Sequence, residues 1–145
     1  MRAVMCAVSL AALAACAGST GLARCDTGDV TDQVCARLGE SFNVRVGQTA
    51  YIADTRLSIR VEGVPEDSRC PRDVQCVWAG NARVALDLRD GENTDTASVS
   101  STLEPHAATR WDYRIELVSV QPQTTARQPI PQGAYRIQLL VNRVS

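Results

Sequence analysis

Apolar residues that alternate with polar ones constrain the fold of this 145-residue chain more than any other feature. From Ser41 onward, apolar residues occupy every second position in a series of short segments. This is the period of a β-strand with one buried face. Segments with this pattern lie at 42–46, 49–53, 57–62, 82–89, 96–103, 111–117 and 135–141. About seven short strands in this length predict an all-β domain, an antiparallel β-sandwich, with a small closed β-barrel as the alternative.

Turn residues separate the predicted strands. Asp90-Gly91 begins a polar segment that we expect to join the strands at 82–89 and 96–103 as a hairpin. Residues 121–133 contain three prolines and predict an irregular excursion before the last strand.

A short helix is predicted ahead of the first strand, from Asp29 to Leu38. Apolar residues recur there every four positions, Asp29 is placed to cap the helix, and Gly39 is placed to end it. Nearby acidic residues are Asp26, Asp29 and Asp32. They suggest either a calcium site or a solvated acidic helix start, and the second is favoured because the ligand spacing and closing glutamate of an EF-hand loop are missing.

The N-terminal residues 1–15 have the features of an export signal. One early positive charge precedes an apolar run that ends in small residues, and the run is too short to be a permanent membrane span. The tetrapeptide Leu13-Ala14-Ala15-Cys16 resembles the lipobox of bacterial lipoproteins. This resemblance implies cleavage before Cys16 and a lipid on its thiol; the alternative is cleavage at a later small residue, which would give a soluble secreted protein.

Lipidation would anchor the mature chain to a membrane, because several acyl chains bind more firmly than one. The expected location is the bacterial cell envelope, on the outer membrane facing the periplasm. Residues 16–28 are mostly small and polar and predict a flexible tether. A single β domain is expected from 29 to 145.

The cysteine count fits an oxidising compartment. Of six cysteines, Cys6 would leave with the signal and Cys16 would carry lipid. The four that remain are Cys25, Cys35, Cys70 and Cys76. An even number predicts two disulfides with three possible connectivities, of which Cys70–Cys76 with Cys25–Cys35 is favoured because each pair is close in sequence.

Metal and redox roles for these cysteines are disfavoured. Neither close pair has the C-x2-C spacing of a zinc knuckle, and the single histidine, His106, lies far along the chain. Five residues separate Cys70 from Cys76, whereas the C-x-x-C motif, which lowers the pKa of a redox-active thiol, has only two. We therefore expect no metal and no cofactor.

The segment Asp67–Gly80, with the sequence DSRCPRDVQCVWAG, is called the stapled loop below. It lacks useful periodicity and is long for a connection inside a compact domain. The favoured interpretation is structural: the loop crosses one end of the sandwich, with Val77 and Trp78 in the core beside the disulfide. Asp67 and Ser68 would cap backbone amides, and Arg69 would pair with Asp67 or Asp73.

A functional interpretation of the same loop is a constrained surface for binding a partner. The candidate binding residues are Arg69, Arg72 and Asp73.

The loop also carries a resemblance to known sequences. Asp67-Ser68-Arg69-Cys70-Pro71, followed by Cys76, Trp78 and Gly80, is similar to a motif of small exported bacterial proteins, many classed as lipoproteins and mostly without an assigned activity. The segments 113–122 and 135–141 are similar to later parts of those proteins, so the resemblance covers most of residues 42–144. It implies an architecture and a location, and no catalytic residue, cofactor or substrate.

Charge and motif content narrow the function classes. Sixteen acidic residues against fifteen basic ones leave no positive field for nucleic acid. No nucleophile motif or phosphate loop occurs, and His106 follows a proline in an expected exposed loop, so no catalytic residue is assigned and an enzyme is disfavoured.

The leading prediction is a membrane-anchored binding or interaction module with an unidentified ligand, such as an envelope protein partner. A protease inhibitor with Arg72 as the anchor of the Cys70–Cys76 loop is an alternative, and an envelope enzyme is a weaker one.

Overall fold

The computed structural model describes residues 32–145. Within this range the chain forms nine strands and one short 3-10 helix at Gln132–Ala134. The strands are β1 (Gln33–Ala36), β2 (Ser41–Arg45), β3 (Thr49–Ile52), β4 (Leu57–Asp67), β5 (Ala82–Asp90), β6 (Asn93–Ser100), β7 (Ala107–Arg110), β8 (Tyr113–Gln121) and β9 (Arg136–Arg143).

These strands form two sheets. The first has the order β1-β3-β4-β5-β6 and the second the order β2-β9-β8-β7. Every neighbouring pair is antiparallel except β1 with β3, which is parallel. Two separate, mostly antiparallel sheets around one core confirm the predicted β-sandwich and exclude the closed barrel.

Alternation along the strands builds the core. In β5, Val84, Leu86 and Leu88 are buried, while the residues between them are more exposed. In β9 of the opposite sheet, Ile137 and Leu139 are fully buried in the same way. Because successive side chains of a strand point to opposite faces, each sheet contributes one apolar face to the layer between them.

The β5–β6 hairpin confirms the turn predicted at Asp90-Gly91. Asp90 pairs with Asn93, so only Gly91 and Glu92 lie in the turn, and Gly91 has a φ of 63°, which a glycine adopts without strain. The polar residues that follow continue into β6, at the exposed end of an edge strand.

The helix predicted from Asp29 to Leu38 is wrong over its described part. Residues Gln33–Ala36 form β1, which pairs with β3 from Thr49 to Ile52. Ala36 is buried, and Val34 in β1 and Leu38 just after it are partly buried against the core. Pairing with β3 overrides a weak local helix preference. Asp26 and Asp29 of the acidic group lie outside the described residues.

Three predicted strands have clearly different limits in the structure. The one at 57–62 extends to Asp67 as β4. The segment at 111–117 belongs to a hairpin in which Trp111 occupies the turn between β7 and β8, with a φ of 50°. The segment at 96–103 ends as a strand at Ser100, and Leu103 lies exposed in the following loop. Alternation alone does not reveal where pairing ends, because the register depends on the partner strand.

Three connections meet at one end of the sandwich. They are the stapled loop between β4 and β5, the loop 101–106 between β6 and β7, and the segment 122–135 between β8 and β9. This end holds every residue that the sequence singled out for binding. The predicted signal, the lipid site at Cys16 and the whole tether at 16–28 lie outside the described residues. No helix within 32–145 is long and apolar enough to cross a membrane.

Candidate binding surface at one end of the sandwich

A disulfide closes the stapled loop as predicted. Cys70 and Cys76 are bonded, with their Cα atoms 5.9 Å apart. Cys35 is disulfide-bonded as well, whereas its predicted partner, Cys25, lies outside the described residues, so the Cys25–Cys35 pairing stays a prediction. The Cys70–Cys76 bond limits the conformations of the five residues that it encloses.

Backbone hydrogen bonds hold the neck of the loop below the disulfide. The amide of Ser68 donates to the carbonyl of Asn81 (2.7 Å), and the amide of Cys70 donates to the carbonyl of Ala79 (2.9 Å). The Ser68 hydroxyl accepts from the Asn81 amide at 3.1 Å, which confirms its predicted capping role. The β4–β5 pairing therefore extends up to the disulfide.

Gly80 permits this close approach of the two sides of the neck. Its φ is 70°, and a Cβ at this position would lie 1.8 Å from the Ser68 carbonyl oxygen. Real Cβ atoms do not approach an oxygen so closely, and the positive φ is itself unfavourable for other residues. The motif glycine is thus explained by the geometry of the neck.

Arg69 and Asp67 form a buried ion pair beneath the loop. Arg69 Nη2 lies 2.6 Å from Asp67 Oδ2, and Arg69 Nε lies 2.8 Å from Asp67 Oδ1. Only 15% of the arginine side chain and 8% of the aspartate side chain are exposed. Asp67 also accepts a hydrogen bond from the Arg69 amide at 3.3 Å, so both predicted roles of Asp67 are confirmed. Two-point contacts of this kind fix the orientation of both groups.

Tyr135 completes the environment of Asp67. Its hydroxyl donates to Asp67 Oδ2 at 2.9 Å. Burial raises the pKa of the Asp67 carboxyl, but hydrogen bonds from Arg69 and Tyr135 and the arginine charge outweigh burial, so the net pKa lies below its ordinary value. Burial, together with the hydrogen bond to Asp67 and its charge, raises the pKa of Tyr135 to about 12. Asp67 is therefore a charged structural group.

The same arginine connects the loop to the segment 120–124. Its guanidinium donates to the carbonyl oxygens of Val120 and, at 2.9 Å, Pro122. The Thr124 hydroxyl donates to the Arg69 carbonyl at 3.0 Å. Arg69 thus joins β4 to the end of β8, which lies in the other sheet.

Asn81 performs a similar function on the side of the loop 101–106. Its side-chain oxygen accepts from the amides of Thr102 (3.1 Å) and Leu103 (3.4 Å). Asn81 itself is buried. Its contacts fix the loop that carries Leu103 relative to the base of the stapled loop.

The expectation that Val77 and Trp78 fill the core is wrong. Val77 is 90% exposed and Trp78 is 82% exposed. The neck contacts of Ser68, Cys70 and Gly80 hold the backbone on both sides of the loop, and the core is already filled by strand residues. A large aromatic side chain therefore projects into solvent from a backbone that internal contacts hold in place.

Two further apolar side chains are exposed near this tip. Val74 lies inside the disulfide-closed segment and is half-exposed, and Leu103 is 59% exposed. We call Val74, Val77, Trp78 and Leu103 the apolar tip. The sequence did not identify it, although two consecutive apolar residues, Val77-Trp78, in a segment without strand alternation were an available signal.

The three binding residues predicted from sequence have different positions. Arg69 is committed to the internal contacts described above. Arg72 and Asp73 are exposed, but the Arg72 amide donates to the Thr124 carbonyl (3.1 Å) and Asp73 Oδ1 accepts from the Ala126 amide (2.9 Å). This side of the loop therefore contacts the segment 124–126, while the side chains of Val77 and Trp78 are exposed to solvent. Whether Arg69, Arg72 and Asp73 bind a ligand stays a prediction.

His106 lies in the loop 101–106, as expected, and is partly exposed. Its Nδ1 is 2.9 Å from the Ser100 carbonyl, and its Nε2 is 3.7 Å from Glu104. Glu104 belongs to the same loop, and Ser100 is the last residue of β6. These contacts hold the ring locally, and the residues described at 32–145 contain no cluster of three or more His, Cys, Asp or Glu side chains that could bind a metal ion.

A cleft of about 520 Å³ lies beside the ion pair. Its walls include Arg69, Thr124, Pro129 and Tyr135. The polar atoms that Arg69 and Tyr135 turn toward this region are already hydrogen-bonded within the protein. These two side chains therefore use their polar groups within the protein.

The fold and this end of the molecule define a class: an all-β sandwich with a disulfide-closed loop and an exposed apolar tip. Comparison with known proteins does not narrow that class, because no family model, no curated protein and no solved structure matches the chain.

Proposed function

We propose that this chain is a bacterial envelope lipoprotein, anchored through Cys16, whose sandwich presents the stapled loop as a binding surface for an unidentified ligand. One observation carries the proposal: Val77 and Trp78 are 90% and 82% exposed at the end of a loop that is held by internal contacts.

Exposed apolar side chains lower the solubility of a protein, so a group of them is better explained by a binding role than by chance. Single exposed apolar residues are ordinary on protein surfaces, but a group of them in one place is typical of interaction sites. Tryptophan is also enriched among residues that dominate binding energies, because it buries a large rigid surface.

The internal contacts of the loop favour a binding role for the tip. Its neck is fixed by backbone hydrogen bonds and by Gly80, and its base is joined to the other sheet through Arg69. A loop that is already ordered loses little conformational entropy when it binds. The scaffold thus prepares the tip for contact, whatever the ligand is.

Photochemical crosslinking in living cells tests the proposal. A photoreactive amino acid is placed at Trp78 or, as a matched control, at Val118, an exposed apolar residue on β8. We expect adducts with an envelope component from position 78 and few from position 118. Equal yields from the two positions would contradict a binding surface at the loop. A parallel Cys16→Ala variant tests the anchor, since we expect its release from membrane fractions.

A further inference from the structure

We propose that the ligand of the apolar tip is the lipid surface of the membrane that holds the anchor. This inference rests on the proposed function, because it requires the anchor at Cys16 and a binding role for the loop. Val77 and Trp78 would enter the boundary between headgroups and acyl chains, where tryptophan is favoured because its ring is apolar and its N–H is polar.

The distribution of exposed apolar residues supports a surface rather than an isolated contact. Within residues 32–145, five large apolar side chains are exposed, and the four of the apolar tip lie on the stapled loop and the adjacent loop 101–106. The fifth, Val118, lies on the outer face of β8. Contacts of Asn81 with the loop 101–106 hold Leu103 on the same end as Trp78. Four of the five exposed large apolar side chains described therefore lie at one end of the domain.

The first described strand, β1, has its N-terminal end toward this end of the domain. β4 runs toward the stapled loop, and β3 is antiparallel to it, with Thr49 opposite Arg60. β1 is parallel to β3, with Gln33 opposite Thr49, so β1 runs away from the loop end. The N-terminal end of β1 therefore points toward the end of the domain where the apolar tip lies.

The covalent distances set a limit on this arrangement. Cys35 lies opposite Tyr51, which pairs with Ser58, and Asp67 lies nine residues further along β4, a rise of roughly 30 Å. With the predicted Cys25–Cys35 bond, nine residues separate Cys16 from the cross-link, and they reach about 30 Å when extended. An extended tether therefore reaches the level of the base of the stapled loop.

The charges around the tip indicate which lipid surface fits. The exposed charged residues within two positions of the apolar residues are Arg72, Asp73 and Glu104. One is positive and two are negative, so no positive field attracts anionic headgroups. Insertion would therefore depend on apolar burial and change little with salt or with the fraction of anionic lipid.

Because the anchor attaches the protein to the same bilayer, a small apolar surface is sufficient for the loop to insert. A loop with a few apolar residues binds vesicles weakly by itself, but a tether makes its insertion an intramolecular event at high effective concentration. The anchor supplies attachment, and the tip would fix the orientation of the domain.

Tryptophan fluorescence of the full lipidated protein tests this inference, since the chain contains only Trp78 and Trp111. Trp111→Phe leaves Trp78 as the emitter, and Trp78→Phe leaves Trp111, in the β7–β8 turn, as the matched control. Each protein is reconstituted into vesicles of phosphatidylethanolamine and phosphatidylglycerol, with and without bromine on the acyl chains. Flotation with the vesicles is measured on the same samples.

We expect both proteins to float, and we expect Trp78 emission to shift to the blue and to lose most of its intensity with brominated lipid, while Trp111 emission changes little. A floating protein whose Trp78 stays unquenched by bromine and open to an aqueous quencher would overturn the lipid contact, and would leave a protein partner for the loop. Equal bromine quenching of Trp78 and Trp111 would also overturn it. A protein that fails to float would contradict the anchor itself, and with it this inference.

Discussion

Arg69 and Asp67, only two residues apart, face each other in a two-point ion pair that closes at 2.6 and 2.8 Å beneath the stapled loop. The pair is largely buried, and the remaining donors of the guanidinium reach the carbonyls of Val120 and Pro122. A charged pair thus fixes the base of the loop, while the apolar residues at its tip are turned outward.

Removing the arginine tests this role. Arg69→Gln leaves the Asp67 carboxylate buried beside Tyr135 with no opposite charge, and we expect the free energy of unfolding to fall by about 3 kcal/mol. The matched control is Arg60→Gln, which breaks the exposed Arg60–Glu62 pair and should cost less than about 1 kcal/mol. Urea denaturation measures both, and equal small losses would show that Arg69 does not hold the loop.

The stability should also depend on pH through Asp67. The pKa of its carboxyl in the folded protein lies below its ordinary value, and that of an unfolded aspartate is about 3.9. The contribution of the charged form is therefore present above about pH 4 and is lost as the pH falls through the folded pKa. Asp67→Asn should lower the free energy of unfolding at neutral pH and weaken its dependence on pH below about 4. Identical pH profiles for the two proteins would refute this assignment.

Gly80 should be far less replaceable than another glycine of similar backbone conformation. Gly80→Ala puts a Cβ 1.8 Å from the Ser68 carbonyl oxygen, whereas Gly47, with a φ of 86°, has nothing within 4 Å of the same position. We expect Gly47→Ala to cost about 1 kcal/mol from its positive φ alone, and Gly80→Ala to cost clearly more. Thermal unfolding compares the variants, and similar melting temperatures would mean that the neck is looser than described.

Replacing Trp78 should leave the fold intact. Because the side chain is exposed, Trp78→Ser should change the free energy of unfolding by no more than about 0.5 kcal/mol. Leu88→Ala, in the filled core, should cost about 2–5 kcal/mol. A loss of several kcal/mol on replacing Trp78, measured by denaturant unfolding, would restore the interpretation in which this residue fills the core.

Local patterns were sufficient to predict seven of the nine strands that residues 32–145 form. The alternation around Leu86 and Leu139 identifies strands because burial on one face repeats every two residues. Asp90-Gly91 identifies a hairpin for a similarly local reason, since few residues accept the backbone angles of its turn. The Cys70–Cys76 bond and the Asp67–Arg69 pair join residues that are close in sequence, so their proximity could be inferred.

Features that depend on contacts between distant parts of the chain could not be predicted from the sequence. The partners of Arg69 at Val120 and Pro122 are more than fifty residues away, and only the arrangement of the two sheets brings them together. The same applies to β1, whose parallel partner β3 replaces the expected helix. The residue type of Trp78 predicts burial, but the direction of its side chain depends on how Gly80 and Ser68 shape the neck.

The central claim, that the apolar tip is occupied in the envelope, is tested most directly by hydroxyl-radical labelling of intact cells. Trp111 serves as an internal reference because it is partly buried against the core, whereas Trp78 is 82% exposed in the free chain. If the tip is bound, Trp78 will be oxidised no faster than Trp111 when the modified peptides are measured by mass spectrometry. Oxidation of Trp78 that is much faster than that of Trp111 in the cell would mean that the tip faces water and would contradict the proposed binding surface.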